Sequence, residues 1–193
     1  MAQGHSLGSK TGLYGASVEY ALHSLLWLIE PREPPLSSRN LAEFQGISAS
    51  LLAKVMPKLE KAGLVASSGG INGGYRLARG ADEITVLDVV TAIDRDKRLF
   101  DCKEIRAGCV LFNGHLPEWS AGRTCTIHAV MLRAENSMRK ELARTTLLDL
   151  VNAVGFPKPF GEDAARWFGE RTAAREASRV AAVKTGRRRP AKT

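Results

Sequence analysis

The 193-residue sequence is poor in cysteine, poor in aromatic residues and free of long apolar runs. No stretch reaches the roughly eighteen consecutive apolar residues of a membrane-spanning helix. The opening MAQGHSLGSK lacks the apolar core of a secretory signal. These absences predict a soluble, cytoplasmic protein with no membrane partner. The three cysteines, Cys102, Cys109 and Cys125, are odd in number and far apart, which argues against a disulfide framework. They read as thiols kept reduced for metal or redox chemistry. Catalytic signatures are also missing: there is no Ser/His/Asp set and no paired-carboxylate pattern. The glycine run from Gly69 to Gly74 lacks the strand-to-helix setting of a phosphate loop. An enzyme is therefore not expected, and no internal repeat is found. Acidic residues are in short supply, 20 against 28 Lys and Arg, giving a net charge of +8 and a pI near 9.7. That balance favours an anionic partner, most simply nucleic acid, because neutralising phosphates supplies much of the affinity of a basic protein.

The pattern along the chain predicts one mainly helical domain followed by a tail. Val18, Leu22, Leu25, Leu26 and Ile29 recur at helical spacing, predicting an amphipathic helix over Gly15 to Glu30 that Pro31, Pro34 and Pro35 end. Ser37 is placed to cap a second helix running to Phe44, Gly46 to break it, and Ser48 to cap a third that ends at Gly63. Two short helices joined by a glycine-containing turn make a helix-turn-helix. Pro57 stands inside the third helix, where it would kink it. Leu64 to Ser67 and Gly74 to Leu77 read as strands of a hairpin, a wing. Thr85 and Asp88 form a capping box for a helix over Val86 to Ile93. Residues 95–124 show no period and read as a functional loop. A long helix follows from Cys125 to about Arg144. Its apolar side, Ile127, Val130, Met131, Ala134, Met138 and Leu142, is too long for one small domain to cover and predicts a homodimer. Thr146 is placed to cap a short helix over Leu147 to Val154. The expected fold is mainly α with a small β wing: a winged helix-turn-helix with a long dimerisation helix. Its parts are a flexible N-terminus (1–12), a DNA-binding domain (13–94), a metal loop (95–124), a dimerisation helix with a short C-terminal helix (125–155), and a basic disordered tail (156–193) in which the Ala- and Arg-rich segment Glu162 to Lys184 is marginally helical.

The strings Gly73-Gly74-Tyr75-Arg76-Leu77-Ala78-Arg79 and Ile84-Thr85-Val86-Leu87-Asp88-Val89-Val90, followed by a cysteine loop, resemble the Rrf2 family of bacterial winged-helix regulators. The resemblance spans about Leu13 to Val154. It implies a homodimeric transcription regulator that binds a palindromic operator in double-stranded DNA, in a manner set by an iron–sulfur cluster. Val18-Glu19-Tyr20-Ala21-Leu22-His23 and Cys102-Lys103-Glu104-Ile105-Arg106 resemble segments of the family's redox-sensing type. That likeness implies a two-iron two-sulfur cluster on Cys102, Cys125, Glu19 and His23. Glu19 and His23 are four apart on one helix, so they project from one face and can share a metal. Two alternatives stand beside this ligand set. Cys125-Thr126-Ile127-His128 resembles the Cys-x-x-His ending of the assembly-regulating type, in which case Cys109 and His128 are ligands. Cys102 and Cys125 could instead form a redox disulfide or hold zinc.

On the DNA side, a recognition helix presents Ser48, Ser50 and Lys54 near its N-terminal end. Arg39 and the wing residues Asn72, Gly73, Tyr75 and Arg76 are expected to add contacts, with Asn72 at the tip. The wing departs from the family pattern in having Ala66, Ser67, Ser68, Gly69, Gly70 and Ile71 where a basic residue is usual. Leu51 stands where a tyrosine is common. Arg187, Arg188 and Arg189 could compensate as a phosphate clamp or form a solvated end.

Overall fold

The structure, a computed structural model, describes residues 12–70, 73–95 and 97–186, with side chains as far as residue 182. Its first three helices are α1 (Ala16–Leu26), α2 (Ser38–Gln45) and α3 (Ala49–Lys61). Local chemistry sets the ends of α2, whereas Ser48 stands at the N-cap of α3 without a side-chain cap bond. The Ser37 side chain accepts from the Asn40 N–H, and Gly46 closes α2 in the left-handed region at φ +66. Pro57 lies within α3 yet the helix runs on to Lys61, so no break occurs there. Positions i, i+3, i+4 and i+7 of α3 face inward, with Leu52, Val55, Met56 and Leu59 all buried.

Two strands, β1 (Val65–Ser67) and β2 (Tyr75–Leu77), pair antiparallel with Val65 opposite Leu77 and Ser67 opposite Tyr75. The hairpin is tied to the entry of α2, where the Tyr75 N–H donates to the Leu36 carbonyl at 2.9 Å. Gly74 makes this possible, since a Cβ there would sit 2.5 Å from the Pro35 carbonyl oxygen. Helix α4 (Val86–Asp94) opens with the expected reciprocal capping box of Thr85 and Asp88, and α6 (Leu147–Val154) with one of Thr146 and Asp149. An isolated bridge, Thr85 to Thr146, holds these two helix starts together. The mixed helical fold with its small two-stranded wing agrees with the expected class.

Between α4 and α5 (Thr126–Arg144) the chain forms two 3-10 turns, Ile105–Gly108 and Val110–Phe112. Helix α5 shows two faces rather than the single expected stripe. His128, Met131, Glu135, Met138 and Leu142 recur at helical spacing and are half-buried. They face their own chain: Met138 accepts from the Tyr14 hydroxyl, and Glu135 accepts from the Leu99 N–H. Ile127 (65% exposed), Val130, Leu132 and Ala134 lie on the open side.

Among the described residues, the segment after residue 155 departs most from expectation. Instead of a disordered tail, Lys158–Gly186 form α7, a 29-residue helix; residues 187–193 lie outside the described residues. Its first half belongs to the core because Phe160, Ala164, Trp167 and Phe168 share one face at i, i+4, i+7 and i+8. Phe168 is 1% exposed, and its ring lies 4.6 Å from that of Phe44 and 6.1 Å from that of Trp27. Removing a ring so enclosed should cost about 3–5 kcal/mol. Phe168→Ala is thus expected to lower the urea midpoint by a corresponding amount. A loss within about 0.5 kcal/mol, typical of an exposed position, would show α7 is not part of the core.

Candidate nucleic-acid interface and metal centre

Ser48, Ser50 and Lys54 are all exposed at the N-terminal end of α3, with the two hydroxyls hydrogen-bonded at 2.8 Å. Leu51 beside them is also exposed, so the start of α3 presents a mixed polar and apolar surface. Its opposite face is locked into the core by Leu52 and Met56, which fixes how this surface is presented. Arg39 is exposed on the first turn of α2. Arg76 points outward from β2, whereas Tyr75 is half-buried and packs against the core. Burial, with the Glu60 carboxylate nearby, pushes the Tyr75 phenol above its ordinary value. Gly73 leaves room for the Ser68 carbonyl, which a Cβ would strike. Asn72, the expected tip contact, lies outside the described residues.

The cysteine loop is organised by a residue to which the sequence reading gave no role, Arg106. Its guanidinium donates from Nη1 to the Ser120 hydroxyl at 3.2 Å, from Nη2 to the Arg123 carbonyl at 3.0 Å, and to Glu104 through both Nε and Nη2. Ser120 is buried, 4% exposed. One planar fork thereby joins the stretch after Cys102 to the stretch before Cys125. The Glu104 hydrogen bond, chiefly, holds the guanidinium above its usual value against the opposing effect of burial. Cys109 is placed differently, half-buried between the two 3-10 turns, with its N–H donating to the Arg106 carbonyl. His128, one turn into α5, has its ring 6.2 Å from Phe100, and its charge acts on Asp101 and Glu104.

Glu19 and His23 are exposed along α1, where they line a groove with Tyr14, Leu22, Leu150 and Val154. They do not meet the cysteines within one chain. Among the described residues, no three His, Cys, Asp or Glu side chains gather as a metal site. Met138, which brings α5 to Tyr14 at the start of α1, lies thirteen residues beyond Cys125, about 20 Å at 1.5 Å per residue. The structure ties the stretch after Cys102 to the stretch before Cys125 through Arg106 and keeps Glu19 and His23 on one groove, without gathering any three of these side chains.

A family model, Rrf2, described as an iron-dependent transcriptional regulator, matches residues 14–153. The match stops before α7. Over 137 residues, 71% of this chain and 72% of the relative, the sequence is 34% identical to the HTH-type transcriptional regulator IscR of Erwinia tasmaniensis. It is 34% identical over 119 residues to the protein rrf2 of Nitratidesulfovibrio vulgaris, covering 62% of this chain and 73% of that one. Among solved structures, CymR, the global cysteine regulator of B. subtilis, aligns with a TM-score of 0.56 at 23% identity over 72% of this chain and 95% of that one. IscR of T. potens aligns with a TM-score of 0.54 at 24% identity over 76% and 91%. At these identities the structural likeness shows the fold.

The role of Arg106 is open to direct measurement in reduced, metal-free protein. Its loss removes charge-assisted hydrogen bonds, so Arg106→Gln should slow diamide-driven coupling of Cys102 to Cys125 by roughly tenfold, read by mass spectrometry. Cys109→Ser should leave that rate unchanged. Equal rates in the Arg106→Gln and wild-type proteins would show that the loop positions the thiols without the guanidinium.

Proposed function

The chain belongs to the Rrf2 family of DNA-binding transcriptional regulators, and we propose that it acts as a homodimer whose hold on a palindromic operator is set by an iron–sulfur cluster. Its relatives are regulators rather than enzymes, and no helix among the described residues is long and apolar enough to cross a membrane. The observation that carries the cluster reading is the Arg106 fork, whose hydrogen bonds tie the stretch after Cys102 to the stretch before Cys125. Two soft sulfur donors held by a loop that one guanidinium braces suit an anionic iron–sulfur group.

Dimerisation is supported by the open side of α5. Ile127, Val130 and Leu132 there, with Ile105, Val110 (89% exposed), Leu111 and Trp119 of the loop, leave unusually much large apolar surface in water. A second copy is the economical cover, and a two-fold dimer matches a palindrome. Two-fold pairing through this side also answers the separation of the two ligand pairs. Glu19 and His23 of one protomer complete the site begun by Cys102 and Cys125 of its partner. A two-iron two-sulfur group so held supplies one-electron redox chemistry, and the imidazole and carboxylate tune its potential. The chain's own part is positional: α1 packs on α3 and α4, so a tie between α1 and the other protomer's loop fixes the distance between the two recognition helices. Half-sites lie about 34 Å apart, and a shift of a few ångström mismatches one of them.

A second reading keeps the site within one loop, with His128 as ligand. Its support is that His128 lies close enough to Asp101 and Glu104, which flank Cys102, to act on both. Anaerobic iron and sulfide analysis separates the readings. About one two-iron cluster per protomer is expected, lost in Cys102→Ala and in Cys125→Ala. His23→Ala should shift the absorbance spectrum and weaken redox-dependent DNA binding, with His128→Ala nearly silent; the reverse pattern would establish the second reading. Full iron content in either cysteine variant would overturn the site.

A further inference from the structure

Helix α7 lies outside the part of the chain that matches the family, yet it packs against the helix-turn-helix at a definite place. Asn40 of α2 donates to the Thr172 hydroxyl at 3.1 Å, Arg171 and Arg175 both pair with Glu43, and Arg175 reaches Ser37 at 3.4 Å. As α7 advances from Arg171 to Arg175 its contacts move from Glu43 to Ser37, so the two helices run antiparallel. The second half of α7 therefore passes the N-terminal end of α2. There Arg179, Arg175 and Thr172 border a small cleft with Pro35, Ser37 and Gly73, bringing the helix beside the base of the wing. In a helix-turn-helix the helix before the recognition helix crosses the DNA backbone, so α7 leaves the body at an edge that faces phosphates.

Charge agrees with this placement. Arg171, Arg175 and Arg179 are spaced four apart and form one stripe. The stripe is continuous with Arg39, for Arg39 and Arg171 both act on the Arg175 guanidinium. Arg175 is depressed first by burial, while its Glu43 contacts oppose that shift. Glu43 and Glu176 offset part of the charge along the stripe. From Arg171 to the chain end, Glu176 is the single acidic residue against eight Lys and Arg. The wing, where a winged helix often places its own cation, carries only Ala66, Ser67, Ser68, Gly69 and Gly70 along its described first half.

We propose that α7 is a second DNA-backbone contact, its arginine stripe extending the Arg39 edge along the phosphates that flank the recognition helix and standing in for the uncharged first half of the wing. This rests on the DNA-binding reading and adds to it a surface that is independent of base sequence. Phosphate contacts of this kind raise affinity on all sequences and steepen its salt dependence.

The test uses the full-length protein and a fluorescein-labelled 30-base-pair duplex of mixed sequence, with anisotropy titrations across about 50–300 mM KCl. Each phosphate contact contributes about 0.9 to the slope of log K against log salt. Arg175→Gln with Arg179→Gln is expected to lower that slope by nearly two and to weaken binding about tenfold or more at low salt. Glu43→Gln, which breaks the same ion pairs but keeps the arginines, should leave the slope as high or higher. Should the double variant lose its helical circular dichroism, Arg179→Gln alone is read instead, with an expected fall of about one. A wild-type protein that binds the duplex with a slope the arginine variants do not change overturns the proposal. A wild-type protein that fails to bind duplex at all overturns the DNA-binding reading beneath it.

Discussion

Helix α5 is covered by its own chain along one face only, and much of the molecule follows from that asymmetry. Met131, Met138 and Leu142 are drawn in against the body, which packs the helix on α4 and brings it to Tyr14. Ile127, Val130 and Leu132 are left facing out, next to a loop whose own apolar residues also point to water. Surface of this size and character is costly for a lone protomer, which supports the proposed pairing through α5. The same geometry places Cys125 at the far end of the helix from Tyr14. It thereby separates the thiol pair of one chain from the Glu19 and His23 pair of that chain.

Much of this was legible in the sequence, for identifiable reasons. Helix starts at Ser37, Thr85 and Thr146 were readable because a cap is a local device: a side-chain oxygen at one position and an N–H three residues on. The wing was readable because Gly74 is dictated by the close approach of Pro35. What escaped depended on distant partners. Phe168 gives no sign of burial amid Ala and Arg until Trp27 and Phe44 are brought to it, and the apolar face of α7 ends halfway along the helix. The α5 residues Met131 and Ala134 seemed to share one stripe, since period alone does not say which of two adjacent apolar faces the chain itself will cover. Arg106 carries no local signature; its partners Ser120 and Arg123 stand fourteen and seventeen residues away.

The DNA-reading half and the thiol half of the protein are linked through α1. Its buried side, Val18, Ala21 and Leu25, is part of the core that also holds α3 and α4, while its exposed side carries Glu19 and His23. A ligand bound on the exposed side therefore acts on the recognition helix through close-packed side chains, which transmit displacement rather than absorb it. Arg106 performs the matching task on the cysteine side by tying together the stretches of loop next to Cys102 and Cys125.

The claim that the site is assembled from two protomers is tested most directly by co-expressing a His23→Ala chain with a Cys125→Ala chain and purifying the mixed dimer through two different affinity tags. If each site draws Glu19 and His23 from one protomer and Cys102 and Cys125 from the other, the mixed dimer carries both lesions in one site and keeps the other whole. It should then hold one cluster with the wild-type absorbance spectrum, although neither homodimer does. A mixed dimer with no wild-type cluster would mean that each protomer supplies all its own ligands, and would contradict the account.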